Sequence, residues 1–307
     1  MKKTRLALLA GGISPEREVS LRGADSVYQA IDKDRYEVRR YDPATDLPRL
    51  VAEARELDCA LIILHGRGGE DGTIQGMLEL LGIPYQGAGV LGSALAMDKA
   101  LAKEIYSLAG LTTPKARKLR RGAPLNLDNL AFPVVVKPAT QGSSIGLEIV
   151  KKREELPQAL KTAFSLDDTL VLEEFIPGRE LTCAILDETP LPVIEIIPGE
   201  DYPFFNYEAK YLPGATKEIC PAPIPEEIKL KVQEAALRAH RALRLRHVSR
   251  SDFIWGEDGE IYILETNTIP GMTETSLLPL AAKVAGLDFP ALIEKLISMA
   301  LRDGTPP

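Results

Sequence analysis

Four polar side chains that can bind a cation occur in one short stretch, SRSDFIWGEDGEIYILETN, near the end of the chain. Asp258-Gly259 lies between two strand-like runs and predicts a β-hairpin with a two-residue turn. Residues at equal distances from that turn lie opposite each other, and side chains two positions apart share a face. The hairpin should therefore bring four residues to one face as two opposed pairs, Asp252 with Glu265 and Arg250 with Asn267.

Two opposed carboxylates repel each other, so we expect a cation between Asp252 and Glu265. Carboxylate and amide oxygens are hard ligands that suit Mg²⁺, which usually takes one or two carboxylates and completes its shell with water and phosphate oxygens. A glycine shortly beyond, Gly271, allows backbone N–H groups to approach a ligand. The alternative is a solvated hairpin face on which Arg250 pairs with Asp252. The opposite face should pack a core with four side chains, Phe253, Leu264, Trp255 and Tyr262.

A second candidate site is the segment PVVVKPATQGSSIG, which places Lys137 at the end of a buried strand and before a Gly/Ser loop. Pro138 holds Lys137 extended, and the glycines with Ser143 and Ser144 can wrap N–H and hydroxyl donors round a phosphate. The segment matches neither the P-loop nor the Rossmann fingerprint. A plain hairpin connection is the alternative.

The three histidines divide by position. His65 begins HGRGGEDG, directly after a buried strand, at the edge where open α/β sheets hold their ligands. His240 and His247 lie at the end of an Arg-rich helix and are expected to be solvated. No Cys/His cluster has zinc-site spacing, and no GxSxG motif indicates a serine nucleophile.

The elements that position these residues change character along the chain. The first 90 or so residues alternate strands and helices and predict an open α/β unit, with strands at 6–9, 36–38 and 59–64 and helices at 14–31, 72–81 and 90–108. Ser14 should cap the first helix. The later part reads as α+β, with strands at 132–137, 147–150, 170–174, 181–186 and 193–197 and helices at 225–246 and 289–300. A non-periodic stretch, 198–225, is a candidate lid or a packed surface loop.

Composition excludes several classes of protein. The chain has 307 residues, 45% of them hydrophobic and 26% charged, which fits two or three folded domains and excludes disorder. A formal net charge of -7 argues against a nucleic-acid partner. No run approaches the length of a membrane helix, and the apolar start ends at Gly11-Gly12 without a cleavage site. The scattered cysteines, Cys59, Cys183 and Cys220, suggest free thiols, so we expect a cytoplasmic protein.

Taken together, the motifs resemble those of the D-alanine:D-alanine ligase family of ATP-grasp enzymes. They occur in family order along almost the whole chain: GGISPEREVS, LHGRGGEDGTIQGMLELLGIPYQGAG, AMDKALAKE, VVVKPATQGSSIG, EEFIPGRE, NYEAKY, SRSDF and ETNTIPGMTETSLLP. The resemblance implies an N-terminal open parallel α/β domain, followed by central and C-terminal α+β domains that clamp the nucleotide. The implied ranges are 1–92, 93–178 and 179–307, with 198–225 as the covering loop.

The resemblance also implies roles for individual residues. The expected ATP-binding residues are Lys99, Lys137, Ser143, Ser144, Glu173, Phe175, Ile176, Glu180 and Lys210. Two Mg²⁺ or Mn²⁺ ions are expected on Asp252, Glu265 and Asn267. Glu16 and His65 should bind the first D-alanine, and Ser276 and Leu277 the second. Arg250 and the N–H of Gly271 should stabilise the oxyanion, while Tyr211 should hydrogen-bond to Ser143 and Glu16. No role is expected for Thr140-Gln141, which occupy a variable part of the loop.

The implied activity is ATP-dependent ligation of two D-alanine molecules through an acyl phosphate, for peptidoglycan precursor synthesis. The expected partners are D-alanine and ATP, with no nucleic acid and no membrane, and the chain should form a homodimer. Alternatives are a D-alanine:D-lactate ligase, another ATP-grasp carboxylate-amine ligase, or a non-catalytic nucleotide-binding protein. Tyr211 in NYEAKY favours the dipeptide.

Overall fold

The N-terminal part of the chain is a parallel sheet with helices between its strands. The structure, a computed structural model, describes residues 3–124, 127, 130–199 and 216–304. The strand order is β2-β1-β3, and β1 is buried from Leu6 to Leu9 because both of its faces are covered. The open α/β prediction is confirmed by six elements, β1 (Thr4–Leu9), α1 (Arg17–Ala30), β2 (Tyr36–Tyr41), α2 (Leu47–Glu53), β3 (Cys59–Ile62) and α3 (Thr73–Leu80).

The predicted helix at 90–108 is two helices, α4 (Val90–Met97) and α5 (Lys99–Leu108). Asp98 breaks it, because its backbone is extended and its carboxylate accepts hydrogen bonds from the N–H groups of Ala100 and Leu101. The side chain thus caps a new helix instead of continuing the old one. The break makes Lys99 the first residue of α5.

A four-stranded antiparallel sheet follows, with strand order β4-β7-β5-β6. Its elements are β4 (Ala116–Arg120), β5 (Val134–Pro138), β6 (Glu148–Val150), α6 (Leu156–Leu166) and β7 (Thr169–Glu174). The apolar face of α6 packs on this sheet around Val136, Leu160 and Leu172. The strand β4 was not predicted; it is an edge strand in which Leu119 alone is buried.

The third sheet has six strands in the order β11-β10-β8-β12-β13, with β9 paired to β8. The remaining elements are β8 (Gly178–Leu186), β9 (Thr189–Pro190), β10 (Ile194–Pro198), β11 (Thr216–Ile219), α7 (Glu226–Ala242), β12 (Val248–Gly256), β13 (Ile261–Asn267), α8 (Leu277–Val284) and α9 (Phe289–Asp303). The predicted lid at 198–225 is thus wrong at 216–219, which pair with β10. Residues 200–215 of it lie outside the described residues.

The β12-β13 hairpin confirms the predicted pairs of Asp252 with Glu265 and of Arg250 with Asn267. Near the turn, however, Trp255 pairs with Ile261, one position away from the predicted partner. A bulge between Asp252 and Phe253 leaves Leu264 without a partner in β12 and restores the predicted register beyond it. The longer turn shifts the register by one residue, and the bulge shifts it back.

The bulge changes which side chains reach the core behind the hairpin. Phe253 and Ile263 are buried there together, with Trp255 packed against them. The prediction that Leu264 and Tyr262 share that face is wrong, because the extra residue reverses the alternation of β13 on the turn side of the bulge.

Packing joins the two ends of the chain. One apolar cluster contains Leu8 of β1, Val27 of α1, Ile194 of β10 and Leu292 of α9. The parallel sheet is thus covered on one side by C-terminal elements. The domain limits at 92 and 178 stay a prediction.

His240 and His247 are buried, so the prediction that they are solvated is wrong. The Nδ1 atom of His240 lies 2.7 Å from the hydroxyl of Ser249, and His247 accepts a hydrogen bond from the N–H of Gly87. The neighbouring arginines suggested an exposed segment, but His240 is on the buried side of α7 and His247 is buried in the connection between α7 and β12. The three cysteines are free thiols, and no helix within the described ranges is long and apolar enough to cross a membrane.

Candidate active site

Two neighbouring cavities contain the predicted site residues that the structure describes. The sheet cleft, as we call the first, lies between the four-stranded and six-stranded sheets, where the chain passes from β7 to β8 through Phe175 and Ile176. It brings together nine predicted residues, Lys99, Lys137, Ser144, Glu173, Phe175, Ile176, Glu180, Asp252 and Glu265. Apolar side chains complete its wall, among them Val135, Ile149, Ile254 and Leu264. A flat aromatic ring with a charged tail fits such a lining.

Two buried lysines hold one buried carboxylate at the inner end of the sheet cleft. Lys137 Nζ lies 2.5 Å from Glu173 Oε1, and Lys103 Nζ lies 2.7 Å from Glu173 Oε2. Burial by itself favours the neutral acid, but the two ammonium groups hold the pKa of Glu173 below its usual value. Burial lowers the pKa of Lys103 to about 8, although the carboxylate opposes that shift. Lys103 was not among the predicted site residues.

Lys99 enters the cleft from the start of α5. Its Nζ donates to the backbone carbonyl of Gln141 at 2.7 Å and lies 3.4 Å from Glu265 Oε2. The contact uses the backbone carbonyl of Gln141, so the expectation that its side chain has no role stays a prediction. The break at Asp98 directs Lys99 to the Gly/Ser loop instead of to solvent.

Asp252 is held by three polar partners. Arg250 donates to it with Nε and Nη2, both at 2.9 Å, Asn267 Nδ2 donates at 3.1 Å, and Thr182 Oγ1 donates at 2.6 Å. The Arg250–Asp252 pair of the solvated-face alternative is thus present, but the face is not solvated, since Asp252 is buried. Both opposed carboxylates face a cation, Arg250 at Asp252 and Lys99 at Glu265. The metal ion expected between the two carboxylates stays a prediction.

The second cavity, which we call the loop pocket, is built from loops of distant segments. It contains eight predicted residues, Glu16, His65, Ser143, Arg250, Asn267, Gly271, Ser276 and Leu277. A small intervening cavity, lined by Lys99, Gly142, Glu265 and Asn267, lies between it and the sheet cleft. The two cavities therefore adjoin at the candidate metal-binding face of the hairpin.

Glu16 and the Gly/Ser loop meet across the loop pocket. The hydroxyl of Ser143 donates a short hydrogen bond to Glu16 Oε1. The loop can come this close because Gly142 has no side chain. A Cβ at that position would lie 2.5 Å from Glu16 Oε2. Ser14 is not the cap of α1 as predicted, because α1 begins at Arg17 and Glu16 is its N-cap residue. The Ser14 hydroxyl accepts from the N–H of Glu16 at 3.2 Å and donates to the carbonyl of His65 at 2.7 Å. That bond ties the Glu16 segment to the His65 loop.

His65 is an uncharged imidazole in the wall of the loop pocket. Burial lowers its pKa to about 4, and the positive charge of Arg250 adds to the shift. Within the described residues, its Nε2 is buried and has no hydrogen-bond partner. A backbone hydrogen bond to Ile269 opposes the shift. A neutral imidazole carries one N–H, so once that proton is shared with the backbone, the buried Nε2 can accept a hydrogen bond from a ligand.

Ser276 and Leu277 stand at the N-terminus of α8, where backbone N–H groups favour an anion. The Ser276 hydroxyl accepts from the N–H of Thr273 at 3.1 Å. A Cβ on Gly271 would lie 3.0 Å from the Ser276 hydroxyl, so a larger residue there would crowd this end of the pocket.

Three further charged residues of the loop pocket were missed, Arg22, Glu70 and Glu218. Burial and the charge of Glu16 raise the pKa of Glu70, whose carboxylate accepts the N–H of Gly66 at 2.7 Å. Burial also raises the pKa of Glu218, while Arg250 opposes the shift. Glu70 belongs to the HGRGGEDG motif, which was a usable signal, whereas nothing local distinguishes Arg22 or Glu218. Lys210 and Tyr211 lie outside the described residues.

The arrangement suits two zwitterions beside a polyphosphate. Glu16, Glu218 and the neutral His65 can face ammonium groups, while Arg250 and the start of α8 can face carboxylates. Lys99 and Lys137 offer positive charge to phosphates in the sheet cleft. The chemistry available is transfer of a phosphoryl group to a carboxylate, followed by attack of an amine.

Comparison with known proteins identifies the family. Residues 44–88 match the family model described as D-ala D-ala ligase N-terminus, and residues 109–298 match D-ala D-ala ligase C-terminus. The chain is 56% identical to a D-alanine--D-alanine ligase of Desulfotalea psychrophila, over 98% of this chain and 96% of that protein. It is 54% identical to one of Syntrophobacter fumaroxidans, over 98% and 99% of the two chains.

Solved structures agree with the sequence relatives. The D-alanine--D-alanine ligase of Bacillus anthracis complexed with ATP has a TM-score of 0.87 and 37% identity, covering 98% of each chain. The VanG D-Ala:D-Ser ligase of Enterococcus faecalis has a TM-score of 0.83 and 32% identity, covering 97% of this chain and all of the other. The chain belongs to the D-alanine:D-alanine ligase family and has the ATP-grasp fold.

Proposed function

We propose that this protein joins two D-alanine molecules to D-alanyl-D-alanine, a peptidoglycan precursor, and converts ATP to ADP and phosphate. The observation that carries the proposal is the junction of the two cavities at Arg250–Asp252 and Lys99–Glu265. A nucleotide in the sheet cleft would direct its terminal phosphate to this junction. An amino acid between Glu16 and His65 would present its carboxylate there.

The first step transfers the γ-phosphoryl group. A carboxylate oxygen of the first D-alanine attacks the γ-phosphorus, and the bond to the β-phosphate oxygen breaks to release ADP. Lys99 and Lys137 offset the repulsion between the anionic reactants. Glu16 holds the ammonium group and the neutral His65 lies beside the bound amino acid, so the carboxylate is held in place for its attack.

The second step forms the peptide bond. The amine of the second D-alanine attacks the acyl carbon, the bond to the phosphate oxygen breaks, and the phosphate leaves with the bonding electrons and takes up the proton that the amine loses. The tetrahedral intermediate carries an oxyanion, for which Arg250 and the N–H of Gly271 are the proposed donors. Ser276 and the start of α8 would hold the second carboxylate. Lys210 and Tyr211 are proposed as part of a cover that keeps water from the acyl phosphate.

Asp252, Glu265 and Asn267 are the proposed ligands of Mg²⁺ or Mn²⁺. Across the described ranges, no group of three His, Cys, Asp or Glu side chains is placed to hold a metal by itself. Two carboxylates and an amide on one face nevertheless fit an ion that takes its other ligands from phosphates and water. When bound, two such ions would neutralise phosphate charge during phosphoryl transfer.

The test is ADP release and product mass with ATP, Mg²⁺ and either D-alanine, L-alanine, or D-alanine with D-lactate or D-serine. Dipeptide from D-alanine alone supports the proposal. A product that contains D-lactate or D-serine in preference to a second D-alanine would move the protein to another specificity. Nucleotide binding without any turnover would overturn the proposed activity.

We also propose a cytoplasmic homodimer. Its support is the exposed apolar side chains of α3 and α4, of which Leu80 is 91% and Leu91 51% exposed. Light scattering should give twice the chain mass, and Leu80→Asp with Leu91→Asp should give the monomer. A wild-type monomer at micromolar concentration would exclude the dimer.

A further inference from the structure

Glu173 and its two lysines form a buried charge cluster whose members have different surroundings. Lys137 ends a strand in the wall of the sheet cleft, whereas Lys103 is absent from that wall and reaches Glu173 from α5. The Lys103 ammonium is also fixed by a 2.7 Å hydrogen bond to the hydroxyl of Thr113. Both lysine side chains are 6% exposed and that of Glu173 is 4% exposed. Lys103 is therefore tied to the protein, and Lys137 is the member of the pair that faces a ligand.

Charge balance gives the two lysines separate tasks. A buried carboxylate needs a counter-ion, and loss of that partner leaves a costly unpaired charge. With both lysines the cluster has a surplus of one positive charge. With Lys137 alone the cluster would be neutral, and the ammonium would be held by the carboxylate instead of by a phosphate.

We propose that Lys103 is a positioning residue that acts as the permanent counter-ion of Glu173 and so leaves the charge of Lys137 available to the phosphates of the nucleotide. The inference rests on the nucleotide site of the proposed function and assigns its phosphate affinity to a residue outside the cleft wall. Lys103 acts through Glu173 and Lys137 and does not touch the nucleotide.

The measurement is the phosphate increment, defined as the Kd of adenosine divided by the Kd of ADP in the presence of Mg²⁺, by calorimetry or competition. Contacts to the base and ribose cancel in this ratio. Lys103→Met should lower the increment at least about tenfold, which corresponds to about 1.4 kcal/mol. Lys103→Arg should keep it within about threefold of wild type, because the charge is retained.

The decisive variant combines Lys103→Met with Glu173→Gln. Without the carboxylate, Lys137 has no internal competitor, so the double variant should recover an increment within about threefold of wild type. Lys118→Met, which removes an exposed lysine near the same part of α5, is the matched control and should leave the increment unchanged.

Three results would overturn the inference. An unchanged increment in Lys103→Met would show that the lysine only shapes the cleft. A low increment in the double variant would show that Lys103 acts on the phosphates by a route that does not include Glu173. If Lys103→Met does not fold, the double variant and Glu173→Gln carry the test, and a tenfold loss in either contradicts it. Dipeptide synthesis is read separately, so failure of the proposed activity is distinguishable.

Discussion

The sheet cleft and the loop pocket handle charge in different ways. In the cleft the cations already have internal partners, with Lys137 on Glu173 and Lys99 on Glu265. In the loop pocket, acidic residues outnumber arginines and the one histidine is neutral. In the cleft, a ligand can replace a carboxylate as the partner of a lysine. In the pocket, a ligand meets single charged and neutral groups whose positions are fixed.

This difference suits two kinds of ligand. A polyphosphate brings several negative charges, so its affinity depends on how readily each lysine leaves or shares its carboxylate. A zwitterionic amino acid has no net charge, so its binding depends on where single charges and neutral donors stand. Variants that change one charge should therefore affect nucleotide and amino acid separately, except at the junction of the cavities.

Arg250 stands at that junction and should give the largest effect. Arg250→Met should lower dipeptide formation by roughly 100- to 1,000-fold, because an oxyanion donor is lost and Asp252 loses its bidentate partner. ADP release and product mass measure the rate, and ADP binding should persist. Arg241→Met, at an exposed ion pair with Glu188, is the control. An Arg250→Met variant with more than a tenth of wild-type activity would remove Arg250 from the mechanism.

A change at Glu16 tests whether the loop pocket binds its amino acid independently of the nucleotide in the sheet cleft. Glu16→Gln should raise the KM for the first D-alanine by roughly 10- to 100-fold, because a charge-assisted contact to the ammonium becomes a neutral one. The KM for ATP should change little. Glu18→Gln, an exposed change two residues away, is the matched control. Equal losses for both substrates would mean that the two cavities do not respond separately.

Glu218 should affect discrimination more than rate. An amine nucleophile arrives as an ammonium group, whereas D-lactate has a neutral hydroxyl. Glu218→Gln should therefore lower the ratio of dipeptide to D-alanyl-D-lactate by roughly three- to tenfold, as expected for one charge acting over several ångströms in a partly solvated pocket. Competition between D-alanine and D-lactate measures the ratio by product mass, with Glu226→Gln as the control. An unchanged ratio would show that the acids of the pocket do not select the amine.

The same two regions differ in how far their construction can be predicted from the sequence. The cleft takes its residues from strands and strand ends, so local periodicity locates Lys137 and the pairs of Asp252 and Glu265. The hairpin pairs were correct although the turn was not, because the bulge at Leu264 offsets the longer turn. A bulge depends on packing behind both strands, so periodicity alone does not reveal it.

The loop pocket was predicted mainly through family resemblance, because its residues meet only after folding. Glu218 belongs to β11, which the sequence analysis took for part of a lid. The burial of Lys103 could have been predicted from its spacing, since it is three residues from Ala100 and from Tyr106 on the buried side of α5. A lysine at such a position needs a buried carboxylate, and that partner, Glu173, is distant in the chain.

The smallest expected effect is on how protein stability depends on pH, and it compares one buried histidine of the loop pocket with one behind the six-stranded sheet. The pKa values of His65 in the loop pocket and His240 behind the six-stranded sheet are both lowered by burial, from 6.5 to about 4. Below pH 6.5 the unfolded chain takes up a proton that the folded protein refuses, so stability falls as the pH drops from 6.5 towards 4. Each histidine should cost about 1 kcal/mol between pH 7 and pH 5.5.

Urea unfolding at pH 7 and pH 5.5 tests this for His65→Gln and His240→Gln, and each should reduce the pH-dependent loss by that amount. The two variants should, however, differ in their kinetics at pH 7. His65→Gln should raise the KM for D-alanine, because a polar group in the wall of the pocket is altered, whereas His240→Gln should leave it within about twofold. A raised KM in both variants would mean that the core behind the sheet and the loop pocket are coupled. The two buried neutral histidines would then both support the structure of the pocket.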